Sequence, residues 1–455
     1  MPCEGAACGA LYPRASLGVF SAEDLAATDV DALAPTFEAG GADSDGFDWA
    51  VLGVEHGFLV GVPAVGEVRW YDGAGLIGAA GPTVLAGGAT GDRFGASVAM
   101  GTGPDGGTRL LVGAPARANG PTLSAVGAVV LYEGADASLG GLPAPQVVLG
   151  EAAEDHFGEG VWACGDLDGD AQGDWVATAP WASTSSLDLT GSLTLGLSTT
   201  PLSFPASSGD LPRLFGSGDG ARFGAAVACV ASLDDDAAPE LVVAAPYASG
   251  AARDGAGAVS IWTSPVDPSA APDVTLTGSE AGANFGSSLA VGDLDGDGLS
   301  EIVVGAPGTD GGTGGNDAAG AVLIFAGDEI RARLESGIVA TPGAARTLHG
   351  EYSRGRVGAS VRIADLDGDG VNDLVIGAPG TNRSGLASGT RAGAATVWWG
   401  PYTAWPTVQF MSSAPTTIAA DRQYLETGGT LATTDLDGDS IAELVILTRA
   451  ASEAE

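Results

Sequence analysis

The chain has few of the residues on which nucleic-acid-binding and membrane-inserted proteins depend. Its 455 residues contain no lysine; its 18 basic residues are all arginine, against 57 acidic residues, for a formal net charge of −39. A surface of this sign repels phosphate backbones, which excludes nucleic-acid binding as a function class. No run of about 18 apolar residues occurs, so we expect no membrane-inserted segment.

Residues and motifs for catalysis are equally scarce. No Gly-x-Ser-x-Gly elbow, His-Glu-x-x-His or phosphate-binding loop is present. The chain has three histidines, which share no motif: His56, His156 and His349. Because catalysis needs a nucleophile, an acid/base pair or an open metal position, we predict that the chain is not an enzyme.

Four cysteines leave two questions open. Cys3 and Cys8 either close a small disulfide loop or remain thiols in a flexible tail. Cys164 and Cys229 fall at the ends of predicted first strands in neighbouring units. Since a free cysteine behaves as a small apolar residue, we interpret this second pair as buried free thiols.

One unit, best seen in residues 284–325, recurs along the chain. It has a Phe-Gly opening, an acidic loop that runs into Gly-Ala-Pro, and a strand that starts with Gly-Ala-Val. A fourth short strand precedes each opening. Full Phe-Gly openings stand at Phe94, Phe157, Phe223 and Phe285, and weaker forms at Phe47, Val357 and Thr427. Seven units of four short strands predict an all-β fold, a seven-bladed β-propeller of four-stranded antiparallel blades.

The acidic loop of this unit has the residues of a calcium site. Carboxylates occupy positions 1, 3, 5 and 9 from Asp293 to Glu301, with glycines at positions 4 and 6. Hard oxygen ligands on alternate residues of a curled loop can enclose one Ca²⁺. An EF-hand is excluded because its position-12 glutamate is replaced by Val304, inside an apolar strand. A solvated turn without metal remains the alternative.

Four loops retain this pattern, with a backbone carbonyl expected at position 7. We predict about four Ca²⁺ sites with these ligands: Asp166, Asp168, Asp170, Gln172 and Asp174; Asp293, Asp295, Asp297, Leu299 and Glu301; Asp365, Asp367, Asp369, Val371 and Asp373; Asp435, Asp437, Asp439, Ile441 and Glu443.

The other three units lack a complete ligand set. The fourth unit has Ser232 in place of its first aspartate, so we expect weak binding or none. The second unit has Arg109 at position 9, where a positive charge disfavours a cation, and we expect this loop to be metal-free. The first unit is shortened to residues 54–57 and has no site.

The two ends of the chain are complementary. The last unit contains only its first two strands, whereas residues 17–20 resemble a third strand and residues 36–37 a fourth. We therefore predict that N-terminal strands complete the last blade, which leaves no open sheet edge. The expected organisation is a flexible tail at 1–16, a single propeller at 17–449 and a C-terminal tail at 450–455.

The ordered combination of Phe-Gly, Asp-x-Asp-x-Asp-Gly and Gly-Ala-Pro resembles FG-GAP repeats, and the chain resembles the N-terminal propeller of integrin alpha subunits. This resemblance implies Ca²⁺ on one face and partner-binding loops on the other. No signal peptide is visible at the given N-terminus, yet loops of this kind suit the high calcium outside cells. We therefore expect an extracellular or cell-surface location.

These features predict an interaction or adhesion module with structural Ca²⁺, which binds a protein or a surface polysaccharide. The first alternative is a carbohydrate-binding lectin, which would need aromatic and arginine residues at matching loop positions. The sequence shows no such regular set. A propeller hydrolase is the second alternative, since a fold alone does not exclude catalysis.

Overall fold

The computed structural model describes most of the repeated units. The described residues are 16–20, 50–54, 57–72, 82–89, 91–103, 106–134, 139, 141–198, 206–230, 233, 238–249, 254–310, 317–336, 343–381, 391–419, 426–435 and 439–448. Within them the strands form seven sheets around one ring, and the first strands of successive sheets lie side by side. The fold is an all-β propeller.

Three complete blades come from the first half of the chain. Blade 1 contains β2 (Ala50–Val54), β3 (Gly57–Val62), β4 (Glu67–Asp72) and β5 (Thr83–Ala86). Blade 2 contains β6 (Ser97–Thr102), β7 (Thr108–Gly113), β8 (Ala128–Glu133) and β9 (Gln146–Leu149), with β13 (Ala206–Ser207) added in parallel. Blade 3 contains β10 (Gly160–Gly165), β11 (Asp174–Ala179), β12 (Ser192–Gly196) and β14 (Arg213–Phe215).

Three more complete blades follow. Blade 4 contains β15 (Ala226–Val230), β16 (Glu240–Ala245), β17 (Ala258–Trp262) and β18 (Val274–Thr277). Blade 5 contains β19 (Ser288–Gly292), β20 (Glu301–Ala306), β21 (Ala321–Phe325) and β22 (Arg346–His349), with β26 (Val408–Phe410) added in parallel. Blade 6 contains β23 (Ser360–Ala364), β24 (Asp373–Ala378), β25 (Ala394–Trp398) and β27 (Thr416–Ala419).

The seventh sheet joins the two ends of the chain. It contains β28 (Thr430–Thr434), β29 (Glu443–Thr448) and β1 (Ser16–Phe20), which pairs antiparallel with β29 from Ser16↔Thr448 to Phe20↔Leu444. Six sheets therefore have the four antiparallel strands that we predicted for all seven, and this one has three among the described residues. Residues 36–37, predicted as its fourth strand, lie outside the described residues, and the boundaries at 16, 17, 449 and 450 stay predictions.

Neighbouring blades meet through the glycines of the repeat. In blades 5 and 6, the Phe-Gly nitrogens of Gly286 and Gly358 donate to the carbonyls of Gly305 and Gly377 of the same blade, at 3.0 Å in both cases. The Gly358 carbonyl also packs against Gly305 of the preceding blade, where an added Cβ would meet it at 2.0 Å. At Gly305 the approach depends on glycine, because a Cβ there would clash with the carbonyl.

The same carbonyl accepts a side-chain hydrogen bond from the preceding blade. Ser97, Ser288 and Ser360 lie in first strands, and their hydroxyls donate to the carbonyls of Gly158, Gly358 and Gly428 at 2.7–2.9 Å. The next-blade carbonyl is therefore both packed against glycine and hydrogen-bonded. This pair of contacts recurs between three pairs of neighbouring sheets.

The apolar cores also extend from one blade to the next. The second strands β3, β11, β16, β20 and β24 are buried along their whole length. Val242 of blade 4 and Val304 of blade 5 belong to one core, and Phe285 closes it at the Phe-Gly end. The recurring pattern of apolar second strands thus reflects burial on both faces of the blade.

The free-thiol interpretation of Cys164 and Cys229 is wrong. The two residues form a disulfide with Cα atoms 5.1 Å apart. Cys164 lies at a bulge between Ala163 and Gly165, where the pairing of β10 with β11 shifts register. A bulge re-aims a side chain, and here the cysteine faces β15 of the next blade.

Some elements had no counterpart in the sequence-based prediction. A helix, α1 (Gly327–Ser336), follows the third strand of blade 5. Short 3₁₀ turns lie at Ser208–Asp210, Tyr402–Ala404 and Met411–Ser413. Among the described residues, no helix has the length and apolar character needed to cross a membrane.

We expect Gly305→Ala to destabilise the propeller, because the new Cβ would meet the Gly358 carbonyl at 2.0 Å. Overpacking of this kind costs about 1–3 kcal/mol. Gly218→Ala is the matched control, since a Cβ at Gly218 has no atom within 4 Å. Urea unfolding should show the loss for Gly305→Ala only; equal stability of the two variants would contradict the inter-blade contact.

The disulfide should contribute to stability by linking two blades across a sequence separation of 65 residues. Closing a loop of this length stabilises the native state by about 4 kcal/mol in the chain-entropy account. We expect the double variant Cys164→Ala/Cys229→Ala to unfold at lower denaturant than the oxidised chain. A reducing agent should lower the stability of the natural sequence and leave the double variant unchanged.

Candidate metal centres

Three of the four predicted loops bring carboxylates together. Ligand oxygens of each group lie within 4.8 Å of one another: Asp166, Asp168 and Asp174; Asp293, Asp295 and Asp297; Asp365, Asp367 and Asp373. Calcium–oxygen bonds of 2.3–2.6 Å place opposite ligands of one ion about 5 Å apart. The groups therefore have the chemistry and the spacing that a single Ca²⁺ requires.

The loops owe their shape to the aspartate at position 1. Asp293 accepts the amide hydrogen of Gly296 at 2.7 Å on Oδ1 and that of Gly298 at 2.9 Å on Oδ2. Asp365 accepts from Gly368 and Gly370 at the same two distances. The first carboxylate thus curls the loop around itself and leaves room for alternate side chains to converge.

The remaining positions repeat as well. Position 5 accepts the amide hydrogen of position 7 at 2.8 Å in all four loops: Gln172 to Asp170, Leu299 to Asp297, Val371 to Asp369 and Ile441 to Asp439. Position 6 is left-handed even where it is not glycine, at Ala171 (φ 65°) and Ser440 (φ 74°). One backbone geometry therefore serves all four loops.

The fourth loop is described only in part. Asp435 accepts the amide hydrogen of Ser440 at 2.9 Å, the bond that its counterparts make at position 6. Glu443 is buried at the start of β29. Asp437 lies outside the described residues, so the ligand set of this loop stays a prediction, as does the position-7 carbonyl in every loop.

The acid at position 9 has a structural role that sequence reasoning missed. Both oxygens of Glu301 accept backbone hydrogens, from Leu294 at 2.8 Å and from Gly327, after the third strand, at 3.1 Å. Asp373 likewise accepts from Leu366 at 2.9 Å and Gly400 at 2.8 Å. This acid therefore fastens the loop to the end of the third strand.

Burial raises the pKa values of the acids at position 9. It raises the pKa of Glu301 to about 7 and those of Asp174 and Asp373 to about 6, against the opposing effect of their backbone hydrogen bonds. Neighbouring aspartates raise all three pKa values further. A cation beside them would favour the ionised form, so the donor set fits a divalent metal.

In the three loops with carboxylate groups, three predicted carboxylate ligands are not members of those groups: Asp170, Asp369 and Glu301. Asp170 accepts hydrogen bonds from Ser198 Oγ at 2.6 Å and from the Gln172 side chain at 3.0 Å. Glu301 is held by the two backbone bonds described above. Where position 9 is an aspartate it belongs to the group and position 5 does not, whereas in the loop with Glu301 position 5 belongs instead. Sequence reasoning treated Asp and Glu at position 9 as equivalent.

The loops of the fourth and second units, which lack a complete ligand set, keep a buried residue that is hydrogen-bonded at position 9. Glu240, in the fourth unit, is buried and accepts the amide hydrogen of Leu233 at 3.3 Å. Ser232, Asp234 and Asp236 of that loop lie outside the described residues. In the second unit Arg109 is buried and donates to Glu133 Oε1 at 2.8 Å and to the Gly173 carbonyl of the next blade at 3.3 Å. The Arg109 contacts thus connect the loop of the second unit to its surroundings. Weak or absent metal binding in the second and fourth units stays a prediction.

A family model of the FG-GAP repeat matches residues 285–325 and 357–398, two units with a carboxylate group each. The chain contains FG-GAP repeats. It is 31% identical to integrin alpha-5 of Xenopus laevis over 244 residues, 51% of this chain and 20% of that protein. The resemblance to integrin alpha subunits is confirmed.

A second group of relatives consists of enzymes. The chain is 33% identical to phosphatidylinositol-glycan-specific phospholipase D of Bos taurus over 163 residues, 36% of this chain and 18% of that protein. The chain thus spans about a fifth of the length of these curated relatives. That it is not an enzyme stays a prediction.

A solved structure of a BBS1N complex with ARL6DN, soaked with mercury, has a TM-score of 0.46 and 7% identity, and the match covers 89% of this chain and 92% of that one.

The acid at position 9 should contribute to the free energy of unfolding even without metal, whereas the acid at position 5 should contribute little. Glu301→Ala leaves the buried amide hydrogens of Leu294 and Gly327 without their acceptor, and each such loss costs about 1–3 kcal/mol. Asp297→Ala loses only a solvent-exposed bond to Leu299.

In chelator-treated protein we therefore expect urea unfolding to show a loss of about 3 kcal/mol for Glu301→Ala and less than about 1 kcal/mol for Asp297→Ala. Glu301→Gln, which keeps one acceptor oxygen, should lie between them. Equal losses for the two alanine variants would show that Glu301 has no separate role.

Proposed function

We propose that the chain is a calcium-stabilised, seven-bladed FG-GAP propeller that acts as an interaction module outside the cell or at its surface. The observation that carries the proposal is the recurrence of one loop geometry with three carboxylate clusters. In this account the three-stranded sheet is the seventh blade. Recurrence favours a structural metal, because an active site usually occurs once in a chain.

Calcium would have a definite effect on these loops. Several carboxylates lie within 4.8 Å of one another and repel when all are ionised. A divalent cation offsets this repulsion and binds the folded loop in preference to the unfolded chain, which stabilises the fold by linkage. Four Ca²⁺ at the four predicted loops would still leave the protein strongly acidic, given its net charge of −39.

The disulfide supports the extracellular location. Such bonds persist in oxidising compartments and are rare where thiols are kept reduced. Cys164 and Cys229 are placed by neighbouring blades, so the bond follows from the fold itself. High extracellular calcium suits loops of this type.

The partner-binding surface would be the face opposite the metal loops. Each metal loop connects the first and second strands at one end of a blade, and the Phe-Gly and Gly-Ala-Pro loops lie at the other end. A protein or a surface polysaccharide is the proposed partner class. The similarity to integrin alpha-5, which covers 20% of that protein, supports the proposal that the chain binds a partner.

A phospholipase D-like hydrolase is the second candidate, favoured by the 33% identity with that enzyme. The described histidines give it little support. His156 lies beside Glu154 and Glu159 in a loop of blade 3, whereas His349 is at the end of β22 in blade 5. Burial lowers the pKa of His349.

Calcium titration by calorimetry on chelator-stripped protein tests the proposal. We expect about four sites and a rise in melting temperature, since each site adds about 2.7 kcal/mol at a hundred times its dissociation constant. Asp369→Ala should reduce the stoichiometry by one while the fold is retained. Asp267→Ala, which removes an exposed acid outside the loops, is the control and should leave it unchanged. Absence of binding to the natural sequence would overturn the calcium proposal.

A further inference from the structure

The residue before each Phe-Gly opening has an unusual backbone. In six units it is left-handed, with φ between 47° and 56°: Arg93, His156, Arg222, Asn284, Arg356 and Glu426. Asparagine and glycine adopt this conformation at least cost, yet arginine occurs at three of the six positions. Backbone preference therefore does not explain the choice of side chain.

These positions lie on the face opposite the metal loops, and three of them, Asn284, Arg356 and Glu426, border one pocket. The pocket has a volume of about 270 Å³ and is lined by Tyr247, Asn284, Arg354, Arg356, Arg391 and Glu426, among others. It thus contains three of the 18 basic residues of a chain with a net charge of −39.

Two of the three arginines are available to a ligand. Arg354 and Arg356 are exposed, and within the described part of the chain neither side chain has an ion-pair or hydrogen-bond partner. Arg391 Nη1 lies 3.6 Å from Glu426 Oε1, and the glutamate side chain is 13% exposed. The pocket therefore combines two uncompensated guanidinium groups with one paired arginine.

An aromatic wall adjoins these charges. Tyr247 is 43% exposed. The guanidinium of Arg222 lies 4.7 Å from the centroid of the Tyr247 ring and 4.0 Å from that of Trp181. Basic and aromatic groups are thus continuous from blade 3 to the pocket. They form part of the set of aromatic and arginine residues that a carbohydrate-binding propeller would need, which the sequence did not reveal.

We propose that this pocket binds the carboxylate of an acidic sugar, a uronate unit of an oligosaccharide. Guanidinium groups bind a planar carboxylate through paired hydrogen bonds. The exposed Tyr247 ring offers an apolar surface to the sugar ring, and the Asn284 amide can bond to its hydroxyls. Glu426 disfavours a dianion such as a phosphate monoester, which a singly charged carboxylate avoids.

The size of the pocket limits how much of the ligand it holds. Small-molecule sites usually measure about 300–1,000 Å³, and this pocket, at about 270 Å³, is slightly smaller. It therefore holds one charged sugar unit, and the rest of an oligosaccharide stays on the surface. The assignment rests on the proposed interaction role but not on calcium, because the pocket and the metal loops lie on opposite faces.

The test is calorimetric titration of the calcium-saturated full chain with trigalacturonate and with its methyl ester, which lacks the charge. Arg354→Gln/Arg356→Gln removes both free guanidinium groups. Arg331→Gln/Arg333→Gln removes two arginines from α1, outside the pocket, and is the matched control. We expect the acid to bind and the ester to fail. The pocket variant should bind at least about tenfold more weakly, as loss of charged hydrogen bonds implies, and the control within about twofold.

Arg354→Lys/Arg356→Lys keeps the charge but lacks the planar fork, and we expect an intermediate affinity. Melting curves identify any variant that fails to fold, in which case the single change Arg356→Lys replaces it. No binding by the natural chain, equal binding of the ester, or an equal loss in the control would overturn the proposal. Tighter binding of a short poly-glutamate peptide would assign the pocket to acidic peptides instead. Calcium uptake without sugar binding overturns this assignment alone, and sugar binding without calcium uptake overturns only the calcium proposal.

Discussion

The contact between the Phe-Gly carbonyl of one blade and the Gly-Ala-Pro glycine of the preceding blade sets the spacing of the ring. An added Cβ would meet that carbonyl at about 2 Å in four blade pairs, at Gly61, Gly113, Gly305 and Gly377. Where the glycine is replaced by Thr178 or Ala244, the side chain itself approaches the glycine of the next blade. The two halves of the repeat motif are thus two sides of one backbone contact, which explains why they recur together.

The acidic loops combine two functions that a ligand list does not separate. Position 1 and position 9 accept backbone hydrogen bonds that shape the loop and attach it to the third strand. The backbone hydrogen bonds that positions 3 and 5 accept come from within the loop. This division explains why the fourth unit keeps Glu240 although its first aspartate is lost. Blade 4 thus lacks the first aspartate and keeps the buried acid, whereas blade 2 forms its sheet with Arg109 at position 9.

The repeat pattern of the sequence was sufficient to predict the four antiparallel strands of six blades and the loops in which carboxylates group around Asp166, Asp293 and Asp365, because each depends on local spacing. It did not predict the added parallel strands β13 and β26. It was insufficient for the disulfide, since a β-bulge at Cys164 decides which way that side chain points. It also missed α1, whose ten residues follow a strand with no break in the repeat. What escaped prediction depends on contacts between blades, which the order of residues within one unit does not contain.

Different residues of the repeat reach the two faces of the propeller. Metal-loop carboxylates converge at one end of the blades, whereas the position before Phe-Gly brings Arg93, Arg222 and Arg356 to the other. Arg93 is 3.6 Å from Glu159, and Arg222 lies between two aromatic rings. Around Arg356, this set of positions borders a pocket in which Arg354 and Arg356 have no ion-pair partner among the described residues. Under the proposed sugar binding, Arg356 at this recurring position would act together with Arg354 and Arg391 of neighbouring loops, and the repeat would contribute to recognition as well as to folding.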